Sequence, residues 1–305
     1  METFDSVMVC NGHYSVPVIP DIPGIDKFSG KILHSHNYRR PEELRGERVV
    51  ILGGGASGTD IMLELCHHAE TVFLSHNNNP LASVLPGNVR QVAGLRSVLP
   101  DGRLSLMDGS SVEASVILLA TGYHYSFPFL TPECGLTVSS RRVAPLYKHL
   151  VNINNSSMCF IGVPIQICPF PQFDLQVRFF VKTLTGEVKL PSREEMLEDL
   201  RREEDWRKNE LKMPEKYFHK MGTLQWIYNK EIAQLGGFTP INQTVENLYN
   251  AVHERRRLCL PYYKKDKFSL TGTQGYSGVV FDHQKNEFRE FKSSEDPSEK
   301  PIFIL

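Results

Sequence analysis

The chain has 305 residues, of which 41% are apolar and 23% charged, and 34 basic residues balance 35 acidic ones to a net charge of −1. That length suffices for one large domain or two smaller ones with full cores, and the charge balance gives no sign of a nucleic-acid or anionic-membrane surface. No signal peptide opens the sequence, the longest apolar tract (158–170) is too short to span a bilayer, and six scattered cysteines without a C-x-x-C spacing read as buried, reduced thiols. The expectation is a cytoplasmic protein with no clear membrane anchor and no nucleic-acid partner. In that compartment the Asn-x-Ser/Thr matches at Asn154, Asn155 and Asn242 carry little meaning.

Residues 4–10 (FDSVMVC) predict a short buried strand closed by Asn11-Gly12, and VPVIPDIPG (16–24) an extended proline-rich connector. RVVIL (48–52) predicts a strand, followed by a glycine turn and a helix over 56–68, and TVFLS (71–75) a second strand. Short strands are expected over 89–107 around the turn Pro100-Asp101-Gly102, and a buried strand at 115–120. Residues 125–170 read as mixed strand and loop, and 173–184 as helix. Ser192 and Glu195, at capping-box spacing, open a charged helix. The Tyr- and Arg-rich stretch 217–263 reads as further helix, and the charged tail 284–300 as loose. SVMVCNG (6–12) and SVILLATG (115–122) share one pattern, as if one device were used twice: a parallel strand delivering backbone to a ligand at its C-terminal end.

The glycine turn carries the chemistry. Gly53, Gly55 and Gly58 fit G-x-G-x-x-G, following a predicted strand and opening a predicted helix. The first glycine permits a tight turn, the second lets a pyrophosphate reach backbone N–H groups, and the third lets helix and strand pack closely. The helix start then offers unpaired donors and partial positive charge to the phosphates. The alternative is a βα turn with no ligand. At the end of the second strand, where NAD sites place a carboxylate, stand Leu74, Ser75, His76 and Asn77. Nothing there repels a 2′-phosphate, and Ser75 and His76 can meet one, which favours NADP; the alternative for His76 is a solvated loop position. His34 with His36, and His67 with His68, lack further ligands at metal spacing, so no metal is expected.

Phe28, Gly30, His34 and Tyr38 fit F-x-G-x-x-x-H-x-x-x-Y, and with GGGASG nearby this resembles the flavin-containing monooxygenases, class B flavoprotein monooxygenases of the N/S-oxygenating branch. Related Baeyer–Villiger enzymes typically carry Trp where this chain has Tyr38. LATGY (119–123), with Pro128 beyond it, resembles the branch's second signature, although Ser115 stands where an Asp often begins it. The resemblance spans nearly the whole chain. It implies an α/β fold: a Rossmann-type flavoprotein with two dinucleotide-binding domains, N-terminally truncated. On that pattern residues 1–45 are a remnant of the first FAD-domain segment and the crossover, 46–122 the NADP-binding domain, and 123–305 the returning FAD segment and a C-terminal helical region. The family's own N-terminal FAD turn, and a segment bearing an active-site Asn, precede the point where this sequence starts.

The implied function is oxygenation of soft nitrogen or sulfur in small amines or sulfides, with NADPH and molecular oxygen, through a flavin peroxy adduct. The cofactors are FAD and NADP. Gly53, Gly55, Ser57, Gly58, Ser75 and His76 are expected at NADP. Asn11, Gly12, His13, Thr121, Gly122 and Tyr123 are expected where nicotinamide meets flavin, the alternative being ordinary strand-end turns. His34 and Tyr38 are expected to brace the crossing. A different class remains open: an NADP-binding module without oxygenase activity, acting as a decoy or regulator. The missing FAD turn leads us to expect strands 4–12 and 115–120 to lack a neighbour, and the isolated chain to be poorly soluble and flavin-free.

Overall fold

The structure is a computed structural model that describes residues 2–139, 141–272 and 275–292. Among the described residues run five α-helices: α1 (Ala56–Leu65), α2 (Pro169–Leu184), α3 (Arg193–Asn209), α4 (Leu224–Leu235) and α5 (Gln243–Leu258). The chain forms two units, one of Met1–Val16 with Tyr123–Asn242, the other of Pro17–Gly122 with the chain from Gln243 onward.

The second unit is built on a five-stranded parallel sheet. Its order is Lys31–His34, Val116–Leu119, Arg48–Leu52, Thr71–Ser75 and Val89–Val92. Parallel neighbours need crossovers, and α1 supplies the one between Arg48–Leu52 and Thr71–Ser75. Both sheet faces are covered, so the strands read as continuous apolar runs. Val49, Ile51, Val72, Leu74, Val116 and Leu118 face Met62 and Leu65 of α1. The alternate residues Val50, Phe73, Ile117 and Leu119 pack with Phe28, Leu104 and Leu106 on the other side. A small antiparallel sheet of Leu95–Val98, Leu104–Leu106 and Ser111–Val112 lies in this unit as well.

The strand expected at 115–120 is therefore not short of a neighbour. It is flanked on both sides, because Lys31–His34, read from sequence as part of a crossing, is itself a strand bonded to it. The tail also differs from expectation over 284–292. Gly275–Asp282 and Glu287–Lys292 form an antiparallel hairpin, with Phe281 opposite Phe288 (ring centroids 5.2 Å apart) and Arg289 paired to Asp282 at 2.8 Å. Cross-strand aromatic and charge pairs of this kind hold a ladder that high charge alone would not suggest. Residues 293–300 of that expectation lie outside the described residues.

The first unit carries a four-stranded mixed sheet in the order Val7–Val9, Met158–Phe160, Val151–Asn152 and Leu146–Tyr147. Helices α2, α3 and α4 pack on it through Leu175, Phe179, Met196, Leu200, Tyr228 and Ile232. α2 begins at Pro169, where a missing N–H costs nothing. α3 opens on the expected capping box: the Glu195 N–H donates to Ser192 Oγ at 3.3 Å, and the Ser192 N–H to Glu195 Oε2 at 2.7 Å. Among the described residues, Val7–Val9 pairs on one side only, with Met158–Phe160. Among the described residues no helix is long and apolar enough to cross a membrane.

Candidate dinucleotide site at the glycine turn

The turn leaves the central sheet where Leu52 ends its strand. Gly53 has φ +122°, and a Cβ there would run into the Ala120 carbonyl of the neighbouring strand end. A Cβ on Gly58 would overlap the Gly53 carbonyl oxygen, so the third glycine lets α1 lie against the turn. Gly55 differs: a Cβ there meets nothing within 4 Å, and Gly55, Ala56 and Ser57 are exposed.

Gly55 caps α1 without a side-chain hydrogen bond, and the first turn holds no acidic residue. The first N–H groups of the helix therefore open outward with no carboxylate among them, which suits a phosphate. This is the fit a dinucleotide diphosphate requires: a cradle with no side chain filling it.

His76 lies over the same turn. A Cβ on Gly54 would stand 3.0 Å from the His76 ring. His76 Nε2 is 3.4 Å from Gln91 Oε1, which also accepts the Leu81 N–H at 2.7 Å. His76 Nδ1 is buried without a partner among the described residues. Ser75, expected beside it, is corrected by the structure. Its side chain is fully buried and its hydroxyl donates to the Ala93 carbonyl at 2.9 Å, so it ties the sheet end together rather than meeting a ligand. Ser57 is exposed on the first turn of α1.

The second expected group divides between the units. In the second unit, Thr121 Oγ1 donates to the Val18 carbonyl at 2.5 Å, the Val18 N–H donates to the Gly122 carbonyl at 2.9 Å, and Gly122 has φ +85°. In the first unit, Asn11 Nδ2 donates to the Ser126 carbonyl at 3.3 Å, and Gly12 (φ +72°) is exposed with open space at its Cβ position. His13 packs edge-on to Tyr14 and Tyr125, and Tyr14 to Tyr123. Burial pushes the His13 pKa down against a backbone hydrogen bond to Gly162, and His13 Nε2 has no partner among the described residues.

The F-x-G-x-x-x-H-x-x-x-Y residues all brace the second unit. Phe28 is a core residue whose ring sits against Gly30, where a Cβ would come within 2.7 Å of it. His34 is buried, its pKa lowered by that burial, and its Nδ1 accepts the His36 N–H at 3.0 Å. Tyr38 donates to Glu64 of α1 at 3.0 Å. Among the described residues no group of three or more His, Cys, Asp or Glu is placed to hold a metal.

Sequence reading missed two features. Arg256, 197 residues along the chain from Thr59, donates through Nη2 to Thr59 Oγ1 at 2.8 Å on α1. In the first unit a buried chain links His219, His149, Glu203 and Arg207. The Val143 N–H donates to His219 Nε2 at 3.0 Å, so neutral His219 carries its proton on Nδ1. That proton points to His149 Nδ1 at 2.8 Å, and His149 Nε2–H to Glu203 Oε1 at 2.8 Å, which Arg207 Nε also meets at 2.8 Å. Neither grouping has a local sequence pattern.

Residues 1–85 and 82–242 match the family model described as flavin-binding monooxygenase-like. The chain is similar to flavin-containing monooxygenase FMO GS-OX-like 7 of Arabidopsis thaliana, at 37% identity over 87% of this chain and 58% of that protein. It is also similar to FMO GS-OX5 of the same plant, at 38% identity over 79% of this chain and 54% of the other. Among solved structures, S-allyl-L-cysteine S-oxygenase from Allium sativum matches with a TM-score of 0.78 and 36% identity, over 84% of this chain and 59% of that one. Tmm from Pelagibacter sp. strain HTCC7211 matches with a TM-score of 0.74 and 28% identity, over 88% and 60%. The chain thus spans somewhat more than half the length of these relatives.

Proposed function

Because the chain belongs to the flavin-containing monooxygenase family, we propose that it supplies the NADP-binding part of a flavin-dependent monooxygenase that uses NADPH and molecular oxygen to oxygenate soft sulfur or nitrogen in small molecules. The observation that carries this reading is the open glycine turn, with Gly55 unobstructed above a helix start free of acids. Gly55, Ser57 and Gly58 would hold the diphosphate through backbone N–H groups, Gly53 would shape the turn with its own N–H given to the Ser75 carbonyl, and His76 would face the adenosine ribose. Thr121 and Gly122, just past the Val116–Leu119 strand of the second unit, would stand toward the nicotinamide. When bound, the nicotinamide supplies a hydride and the flavin supplies oxygen activation. The chain's own residues contribute binding, orientation and shelter from water. G-x-G-x-x-G occurs once in the sequence, so these residues provide one diphosphate cradle, which we assign to NADP. Sulfur is the favoured target, supported by the likeness to a structure described as an S-oxygenase.

A narrower reading is NADP binding without oxygenation. It is favoured by the glycine turn resting entirely on the doubly covered sheet of one unit. Titrating the chain with NADP+ while measuring flavin content and NADPH-dependent oxygen uptake with a thioether separates the two. Saturable binding with oxygen uptake supports the oxygenase; binding alone supports the module; no nucleotide binding contradicts both.

A further inference from the structure

Three consecutive arginines end α5, and helical geometry sends them in three directions. Arg255 is buried and structural: Nε meets Asp266 Oδ2 at 2.7 Å, and Nη2 donates to the Phe281 carbonyl. Arg257 pairs with Glu254 at the surface. Arg256 instead reaches α1, donating to Thr59 Oγ1, whose hydroxyl lies 3.0 Å from the Gly55 carbonyl and 3.1 Å from the Ala56 carbonyl. Its guanidinium stands one hydroxyl away from the open glycine turn. Lys264 joins it, with Nζ 3.3 Å from Asp60 Oδ2, and Arg256 lies 3.8 Å from Asp60 Oδ1. Two cations thus meet one carboxylate beside the positive end of α1, where the helix dipole disfavours cations and favours an anion.

The position also fits one particular phosphate. On the proposed function, the backbone N–H groups of the turn are taken by the diphosphate. The segment 76–79 that follows the Thr71–Ser75 strand holds no Arg or Lys to meet a 2′-phosphate. The loop beyond it is tied to the end of α5, since the Leu260 N–H donates to Ser83 Oγ at 2.9 Å. His76, which opens that loop, has a buried Nδ1 without a partner among the described residues and rests against the turn. Arg256 is 27% exposed and uses one of five guanidinium donors on Thr59, which leaves donors for an incoming oxyanion.

We propose that Arg256, delivered by α5 to the first turns of α1, reads the 2′-phosphate of NADP and makes this chain discriminate NADP from NAD. The inference rests on the dinucleotide reading of the glycine turn. Calorimetric titration of the whole chain with NADP+, NAD+ and 2′-AMP tests it, comparing wild type with Arg256→Gln, Arg256→Lys and, as a nearby charge control that spares the Thr59 contact, Lys264→Gln. Loss of one charge-assisted contact should weaken NADP+ and 2′-AMP by about 10- to 100-fold in Arg256→Gln. NAD+ binding should be unchanged, and Arg256→Lys should recover part of the loss. Equal weakening toward NADP+ and NAD+, or no weakening, overturns the assignment. So does an NADP+ loss in Lys264→Gln as large as in Arg256→Gln, which would make the effect one of general charge. A wild-type chain that binds none of the three probes overturns the dinucleotide reading itself, an outcome distinct from the others.

Discussion

Gly55 and Gly58 stand three residues apart under different constraints. A methyl on Gly58 would overlap the Gly53 carbonyl, so Gly58→Ala must push α1 off the sheet, at a cost of about 1–3 kcal/mol. A methyl on Gly55 meets nothing, and its backbone (φ −81°) suits any residue. Gly55→Ala should therefore melt like the wild type yet bind NADP+ more weakly, because the methyl enters the space the diphosphate needs. Thermal melting and titration on both variants check this. If Gly55→Ala binds as tightly as wild type, the cradle is not where NADP sits. At this scale the three motif glycines were legible because each answers to local backbone geometry. Ser75 was not. Its strand is buried along Val72–Ser75, so no alternation reveals which way a side chain points. Arg256 was legible only as a basic residue, since no sequence pattern links positions 197 residues apart.

Helix α3 is joined to the first unit's sheet by the His219–His149–Glu203–Arg207 chain, and this sets a pH dependence. Burial, with His149 and Arg142 nearby, holds the His219 pKa well below 6.5. Burial raises the Glu203 pKa, but His149 and Arg207 outweigh it and hold the carboxyl far below its usual 4.5. In both cases the unfolded chain takes the proton first as pH falls. Stability should begin to decline below about pH 6.5 through His219 and decline further below about pH 4.5 through Glu203. Melting temperature against pH reads this directly. A flat profile from pH 7 to 5 would mean that His219 is not held neutral in the folded state. Element positions were well read where one signal sufficed. The strands at 48–52 and 71–75 lie where apolar runs put them, and α3 starts at its capping box. Lys31–His34 was missed because a motif occupied the same residues, and the hairpin over 275–292 because cross-strand pairing is not visible from charge content.

At the scale of the whole molecule, the exposed apolar residues at one sheet edge bear on solubility. The second unit's sheet is covered on both faces by its own chain. Among the described residues, the first unit's sheet ends in Val7–Val9, bonded on one side only, with Val7 41% exposed and Phe4 69% exposed. An apolar edge of this kind pairs readily with other chains. Val7→Lys should raise the concentration at which the chain stays monodisperse in light scattering, without altering NADP+ affinity. Unchanged aggregation would place the sticky surface elsewhere.

The central claim is that the first N–H groups of α1 grip a nicotinamide dinucleotide. Amide hydrogen exchange of the whole chain, with and without saturating NADP+, tests it at single-residue level. The account predicts slowed exchange at Ala56, Ser57 and Gly58, which are the donors of an otherwise open helix start. Unchanged exchange at those three amides, with NADP+ demonstrably bound, would contradict it.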